Sequence, residues 1–352
     1  MNLKLQWLRN KMSSLDLQGI IISNPINIKY LTNINAEGIL VINPKENIFI
    51  TDGRYVEDVH SILTLFDEII VYDIKDISIE DYENFFMFCQ NVGFEESYIS
   101  YATYKEYLKK FKIKNFIETE NIIEKQRMIK DDEELSNLNK ACNITDDCFK
   151  YILSYIKSGM TEKEIAKEID NYFSERTDGL SFETIVASGE NTSKPHAVPS
   201  DRKIQERDII TIDMGCKVNG YCSDMTRTFF VGEPTEEMKC VYDLVLDNQK
   251  LTLEQYKEGA NTRQITKMVE SNFKLNRYNL IHSLGHGVGL EVHESPYING
   301  KNEAILKENM VVTNEPGIYI PGKFGVRIED TVQITKFGCI SLTNSDKNYI
   351  II

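Results

Sequence analysis

The chain has 352 residues, 41% hydrophobic and 27% charged, which is ample for two ordinary globular cores. Its 40 Lys and Arg against 54 Asp and Glu leave a net charge of −14, which repels phosphate backbones and anionic membranes and argues against either partner. Seven cysteines, an odd number without a C-x-x-C pair, suit neither a disulfide framework nor a zinc ribbon, and free thiols fit a cytoplasmic protein.

The N-terminal segment carries Lys4, Arg9 and Lys11 among apolar residues, with Leu5, Leu8 and Met12 at helical spacing. An amphipathic helix near 3–14 is therefore expected, not a signal peptide. No apolar run of about eighteen residues follows, so no membrane span is expected. Short apolar runs bounded by Asn, Pro and Gly predict strands at 19–23, 38–42, 47–51 and 68–72. Helices are expected from Tyr55, over 79–89 and over 101–111, giving an α/β N-terminal domain. The stretch 121–134 is rich in Lys, Asp and Glu, and places a domain boundary at 122/123. Beyond it, apolar positions at Leu135, Leu138, Ala141 and Ile144 predict a helix over 133–158, and Thr161-Glu-Lys-Glu is a capping box for another. After Ser181 the chain is strand-rich, with helices over 235–257 and 261–273. Residues 123–352 thus read as an α+β domain, with no repeat visible by direct comparison.

The centre of that domain is 211–228, TIDMGCKVNGYCSDMTRT. Asn219-Gly220 is a strong two-residue hairpin signal. With those residues as the loop, Asp213 lies opposite Thr226, and Asp213, Asp224 and Thr226 share one face, the carboxylates diagonal. A loop two residues longer would set the carboxylates directly opposite each other. Ile210, Ile212, Phe229 and Phe230 indicate a buried sheet, and two buried like charges call for a cation between them. Cys216 and Cys222, flanking the turn, read as small semi-apolar strand residues and not as ligands.

Four of five histidines fall in two polar segments: His196 in Lys194-Pro-His-Ala-Val-Pro199, and His282, His286 and His293 in a Gly-rich run. His60 reads as an ordinary surface residue. The glycines 285, 287 and 289 lack nucleotide-loop spacing and are better explained by close backbone approach. Glu315 and Glu329 are equidistant from Gly322, so they can face one another across a second hairpin, with Arg327 on the face of Glu329. Four carboxylates (Asp213, Asp224, Glu315, Glu329) balance two divalent cations, whereas a single ion would leave a charge that is hard to bury. The oxygen-rich set favours Mn²⁺, and one imidazole, His286, admits Co²⁺, Fe²⁺ or Zn²⁺. Two ions about 3.5–4 Å apart can share a water, lower its pKa and clamp an oxyanion.

In this order and with these flanks, Asp213, Asp224, His286, Glu315 and Glu329 resemble the metallopeptidases of the pita-bread fold, which include methionine aminopeptidase, aminopeptidase P and prolidase. The resemblance covers about residue 130 to the end. Ser181-Phe-Glu-Thr-Ile-Val-Ala-Ser-Gly and Pro195-His-Ala-Val-Pro-Ser-Asp-Arg point to the proline-specific branch. Asn24-Pro-Ile-Asn-Ile-Lys-Tyr-Leu-Thr and Thr51-Asp-Gly-Arg-Tyr resemble its creatinase-type N-terminal domain. The resemblance implies a creatinase-like α/β domain over 1–122 and a pita-bread catalytic domain over 123–352. It also implies hydrolysis of the Xaa-Pro bond at the N-terminus of di- or oligopeptides. The alternatives are an inactive scaffold that binds peptides or partners, and a specificity like that of methionine aminopeptidase. By the same resemblance Asp213 binds one metal, His286 and Glu315 the other, and Asp224 and Glu329 bridge. Glu315 is the general base, and His293 stabilises the intermediate. His196 and His282 line the substrate pocket, and Arg327, Thr226 and Tyr319 support the ligands. A homodimer is implied as well. Prolidases of the family carry Arg shortly after His-Glu-x-Pro, where this chain has Tyr297, which leaves action on longer peptides open.

Overall fold

The computed structural model describes residues 2–63 and 68–352. The chain divides into two compact units, 1–127 and 128–352.

The first unit contains α1 (Leu3–Ser14), β1 (Gly19–Ile22), α2 (Pro25–Thr32), β2 (Gly38–Ile42), β3 (Asn47–Thr51), α3 (Val56–Ile62), β4 (Ile69–Asp73), α4 (Ile79–Asn84), β5 (Asn91–Phe94), α5 (Tyr101–Lys110), β6 (Asn115–Glu118) and α6 (Ile122–Arg127). Its six-stranded sheet has the order β4-β3-β2-β1-β5-β6. The β1–β2 and β2–β3 pairs are antiparallel, and the other three are parallel. Leu5, Leu8 and Met12 are the buried face of α1, as their spacing predicts.

Several elements depart from expectation. Asn24-Pro25 opens α2, with the Asn24 side chain accepting from the Ile26 amide and Pro25 in the first turn, where its missing N–H costs nothing. The helix expected over 79–89 ends at Asn84. Beyond it Met87 N bonds Asn84 O and Cys89 N bonds Phe86 O, three-residue steps that break the α ladder while Phe86 and Cys89 stay buried. The strands β5 and β6 lie in stretches left unassigned from the sequence. The charged stretch 121–134, expected to be poor in core residues, buries Ile122, Ile123, Arg127, Lys130 and Glu134. Arg127 donates to Asn27 Oδ1 at 3.0 Å, so α6 belongs to the first unit and the division falls after residue 127 instead of 122.

The second unit contains α7 (Asp132–Tyr155), α8 (Glu162–Ser174), β7 (Ile185–Ser188), β8 (Ile209–Met214), β9 (Lys217–Val218), β10 (Tyr221–Cys222), β11 (Met225–Phe230), α9 (Glu236–Gln255), α10 (Thr262–Leu275), β12 (Gly285–Gly287), β13 (Glu294–Ile298), β14 (Val311–Asn314), β15 (Gly317–Ile320), β16 (Phe324–Arg327), β17 (Asp330–Ile334) and β18 (Cys339–Ser341). The sheet β11-β8-β7 packs with α7 and α8 around Phe149, Phe173, Ile210 and Ile212. The sheet β13-β12-β14-β17-β18 packs with α9 and α10 around Val245, Val269, Phe273 and Val332. Each half is thus a capped helix pair followed by an antiparallel sheet, and the residues capping the second helices make matching isolated bridges, Thr161 to Lys203 and Asn261 to Ile305. This recurrence is one of element order, invisible to direct comparison of residues. No helix among the described residues is long and apolar enough to cross a membrane.

Candidate metal centre

Asn219 (φ 52°) and Gly220 (φ 82°) form the two-residue turn between β9 and β10. Positive φ at both positions is what this turn requires, and Asn and Gly tolerate it best. The register that follows pairs Thr226 with Asp213, which leaves Asp213 and Asp224 as diagonal neighbours and removes the longer-loop alternative. The second hairpin pairs Gly317 with Arg327, a register that carries Glu315 and Glu329 toward each other at its open end.

The glycines of β12 bring the histidine into this space. A Cβ on Gly285 would stand 2.2 Å from the Thr313 carbonyl oxygen, and one on Gly287 would stand 2.3 Å from that of Ser295. Only bare backbone lets β12 close on its neighbours with His286 between them. His286 Nδ1 lies 3.1 Å from the Gly287 carbonyl, an acceptor, so Nδ1 carries the proton. The lone pair of Nε2 then faces Asp224 Oδ2 at 3.5 Å and Glu315 Oε1 at 3.4 Å. Burial holds this imidazole down to about 4, so it is neutral at pH 7.

A neutral lone pair facing two carboxylate oxygens is repulsive unless a cation lies between them. The carboxylates show the same need. Burial, then the Glu329 charge, push Asp224 well above the usual carboxylate range; burial, then Glu315, do the same to Glu329. Burial pushes Glu315 up to about 8. Asp213 Oδ1 is buried with no hydrogen-bond partner. Three donor sets have ligand atoms mutually within 4.8 Å: Asp213, Asp224 and Glu329; His286, Glu315 and Glu329; and Asp224, His286 and His293. Oxygen-rich sets sharing Glu329, with an imidazole in one, fit divalent ions.

The supporting residues are fixed from behind. Thr226 Oγ1 donates to Glu329 Oε2 at 2.7 Å and accepts from Arg327 Nε at 3.0 Å. Arg327 also reaches Asp213 Oδ2 (2.6 Å), the Tyr319 hydroxyl (2.8 Å) and the Pro195 carbonyl (3.1 Å). Tyr319 in turn donates to His282 Nε2 at 3.0 Å, while His282 Nδ1–H donates to the Ser283 carbonyl. Thr226 and Tyr319 therefore sit behind the donors, outside the cavity lining.

A cavity of 630 Å³ opens over the cluster. It is lined by Asp213, Asp224, His286, Glu315 and Glu329 below, by His196, His282, His293 and Arg327, and by an apolar wall that includes Phe182, Pro195, Val198, Pro199 and Tyr297. The five candidate donors and His196, His282, His293 and Arg327 thus meet at this cavity, with Thr226 and Tyr319 behind them. Cys216, between β8 and β9, and Cys222 of β10 are buried and stay out of the cavity, and all seven cysteines are free. His60 is exposed on α3. The wall itself was not legible: Val198 is 79% exposed, and nothing in an isolated Ala-Val-Pro indicates that it faces a cavity.

A buried carboxylate–imidazole cage under a half-apolar cleft defines a metallohydrolase. The chain belongs to metallopeptidase family M24: the model of that family matches residues 136–336, and the Creatinase/Prolidase N-terminal domain matches residues 4–129. Among curated proteins it is similar to the uncharacterized peptidase YqhT of Bacillus subtilis, 38% identical over 99% of this chain and 100% of the relative. Among solved structures it is similar to the Xaa-Pro dipeptidase from Bacillus anthracis (TM-score 0.92, 35% identity, 99% of each chain). It is similar too to the X-Pro aminopeptidase from Thermotoga maritima (TM-score 0.88, 30% identity, 97% of this chain and 100% of the other).

Proposed function

We propose that this protein is a metal-dependent exopeptidase that hydrolyses the Xaa-Pro bond at the N-terminus of di- or oligopeptides. The observation that carries the reading is the convergence of four carboxylates and one neutral imidazole on the floor of a cavity with an apolar wall. The names of the solved relatives, one a dipeptidase and one an aminopeptidase, support the proline specificity and leave the peptide length to experiment.

In this reading Asp213, Asp224 and Glu329 would hold one divalent ion and His286, Glu315, Asp224 and Glu329 a second, with Mn²⁺ favoured by the oxygen-rich set. Such a pair, when bound, supplies Lewis acidity at the scissile carbonyl and makes water a competent nucleophile at neutral pH. Glu315, on the cavity floor with its Oε1 3.4 Å from His286 Nε2, would take the proton of the attacking water and pass it to the leaving proline nitrogen. His293 stands exposed at the cavity, its ring 4.3 Å from that of His286, placed to donate to the developing oxyanion. His196 and His282 flank the peptide, and the wall around Pro195, Val198 and Pro199 receives the apolar ring. An inactive scaffold would be expected to have lost a ligand; that this chain keeps all five candidate ligands supports the active reading. The family resemblance supports a homodimer, and seven free thiols support a reducing, cytoplasmic setting.

The test is a rate comparison on Xaa-Pro and Xaa-Pro-Yaa peptides after Mn²⁺ reconstitution. Hydrolysis at the Xaa-Pro bond of either class is expected. A reconstituted protein that holds its ions and cleaves neither class overturns the assignment.

A further inference from the structure

The residues next to two of the cluster carboxylates form a second buried assembly. Asp330 follows Glu329, and Asn314 precedes Glu315; the two pair directly across β14 and β17. Their neighbours turn to the cavity, while they turn to α9. Gln249 of α9 donates from Nε2 to Asp330 Oδ2 at 2.7 Å, and its main-chain carbonyl accepts from Asn314 Nδ2 at 2.8 Å.

Asp330 is fully buried and accepts from four side chains on three segments. Besides Gln249 these are Arg227 Nη2 of β11 (2.7 Å), Thr343 Oγ1 (3.3 Å) and Lys347 Nζ. Arg227, itself 1% exposed, also donates to the main-chain carbonyls of Glu329 and of Thr226 (3.0 Å) and to that of Ser345. Arg227 thus holds the backbone of both Glu329 and the residue whose hydroxyl donates to Glu329. The C-terminal segment closes the arrangement, with Ile350 and Ile352 bonded along the edge of β11.

We infer that Asp330, with Arg227 and Lys347, is a positioning residue that presents Glu329 to the divalent ions and sets the affinity of the site for them, without touching either ion. The physical reason is that a carboxylate ligand binds well only when its backbone is held. Breaking a buried ion pair leaves a charge that must find another partner by moving the strand. The inference rests on the reading of Glu329 as a ligand.

The experiment is calorimetric titration of Mn²⁺ into metal-stripped full-length protein, together with the Tm of the metal-free form. Asp330→Asn is expected to weaken Mn²⁺ binding by roughly 10–100-fold. Lys347→Gln, at a position whose side chain is 22% exposed, is expected to weaken binding severalfold in the same direction. Tyr349→Phe, in the same tail, removes a hydroxyl that bonds the Lys239 carbonyl and Asp243 of α9, and is expected to lower Tm alone. Mn²⁺ affinity within twofold of wild type in folded Asp330→Asn overturns the proposal. So does such affinity in Lys347→Gln if Asp330→Asn does not fold, or an equal loss in Tyr349→Phe. A wild-type protein that binds Mn²⁺ normally but cleaves no Xaa-Pro peptide overturns the proposed function and leaves this inference standing; one that binds no Mn²⁺ overturns both.

Discussion

Asp224 appears in two of the three donor sets, as His286 and Glu329 do, and is buried among other carboxylates. Asp224→Asn keeps the shape and removes the charge. Turnover is expected to fall below detection, and bound divalent metal, measured by mass spectrometry, to drop below that of wild type. The cluster's protons give a second outcome. In the metal-free protein Glu315 has a folded pKa of about 8, raised above its unfolded value, so its stabilising contribution is present at low pH and lost as pH rises toward 8. Asp224 and Glu329 are raised in the same direction. His282 and His286 are lowered to about 4, so their contribution is lost as pH falls from 6.5, which opposes the carboxylates there. The clean window is pH 6.5 to 8. The Tm of metal-free protein is expected to fall across it, and Mn²⁺ is expected to abolish the slope. A flat metal-free Tm would contradict the reading of the carboxylates as mutually repelling.

At the scale of elements, the short strand β12 is held by backbone contacts that leave no room for a side chain. Gly285→Ala would drive a methyl into the Thr313 carbonyl, and either β12 or β14 must retreat. The expected loss is about 1–3 kcal/mol in urea unfolding, the range for overpacking a close-packed interior. Because His286 is the next residue, Mn²⁺ affinity should fall in the same variant. The hairpins were legible because their signals are local: Asn219-Gly220 specifies a turn, and a turn specifies register. Helix α2 is not legible in the sequence because a cap and a proline outweigh eight residues with little helical pattern. The helix expected over 79–89 stops at Asn84 because burial of Phe86 and Cys89 favours a tighter turn.

For the whole molecule, binding of ions to the folded state alone raises stability by mass action. At Mn²⁺ a hundredfold above its dissociation constant the gain is about 2.7 kcal/mol. Adding EDTA to reconstituted protein is therefore expected to abolish hydrolysis and to lower Tm, and more so at pH 8 than at pH 6.5. An unchanged Tm would show that the cage needs no cation.

The amino-acid order alone marked out the candidate donors and the two hairpins that carry the four carboxylates, because side-chain alternation and turn chemistry act over a few residues. It also showed that four carboxylates near one another demand positive charge. Only the tertiary structure decided that Val198 and Phe182 wall the cavity, that Thr226 and Tyr319 stand behind it, and that Asp330 clasps Arg227, Gln249 and Lys347. These contacts join residues as far apart as 103 positions, and no local rule selects one distant partner over another until packing has excluded the rest.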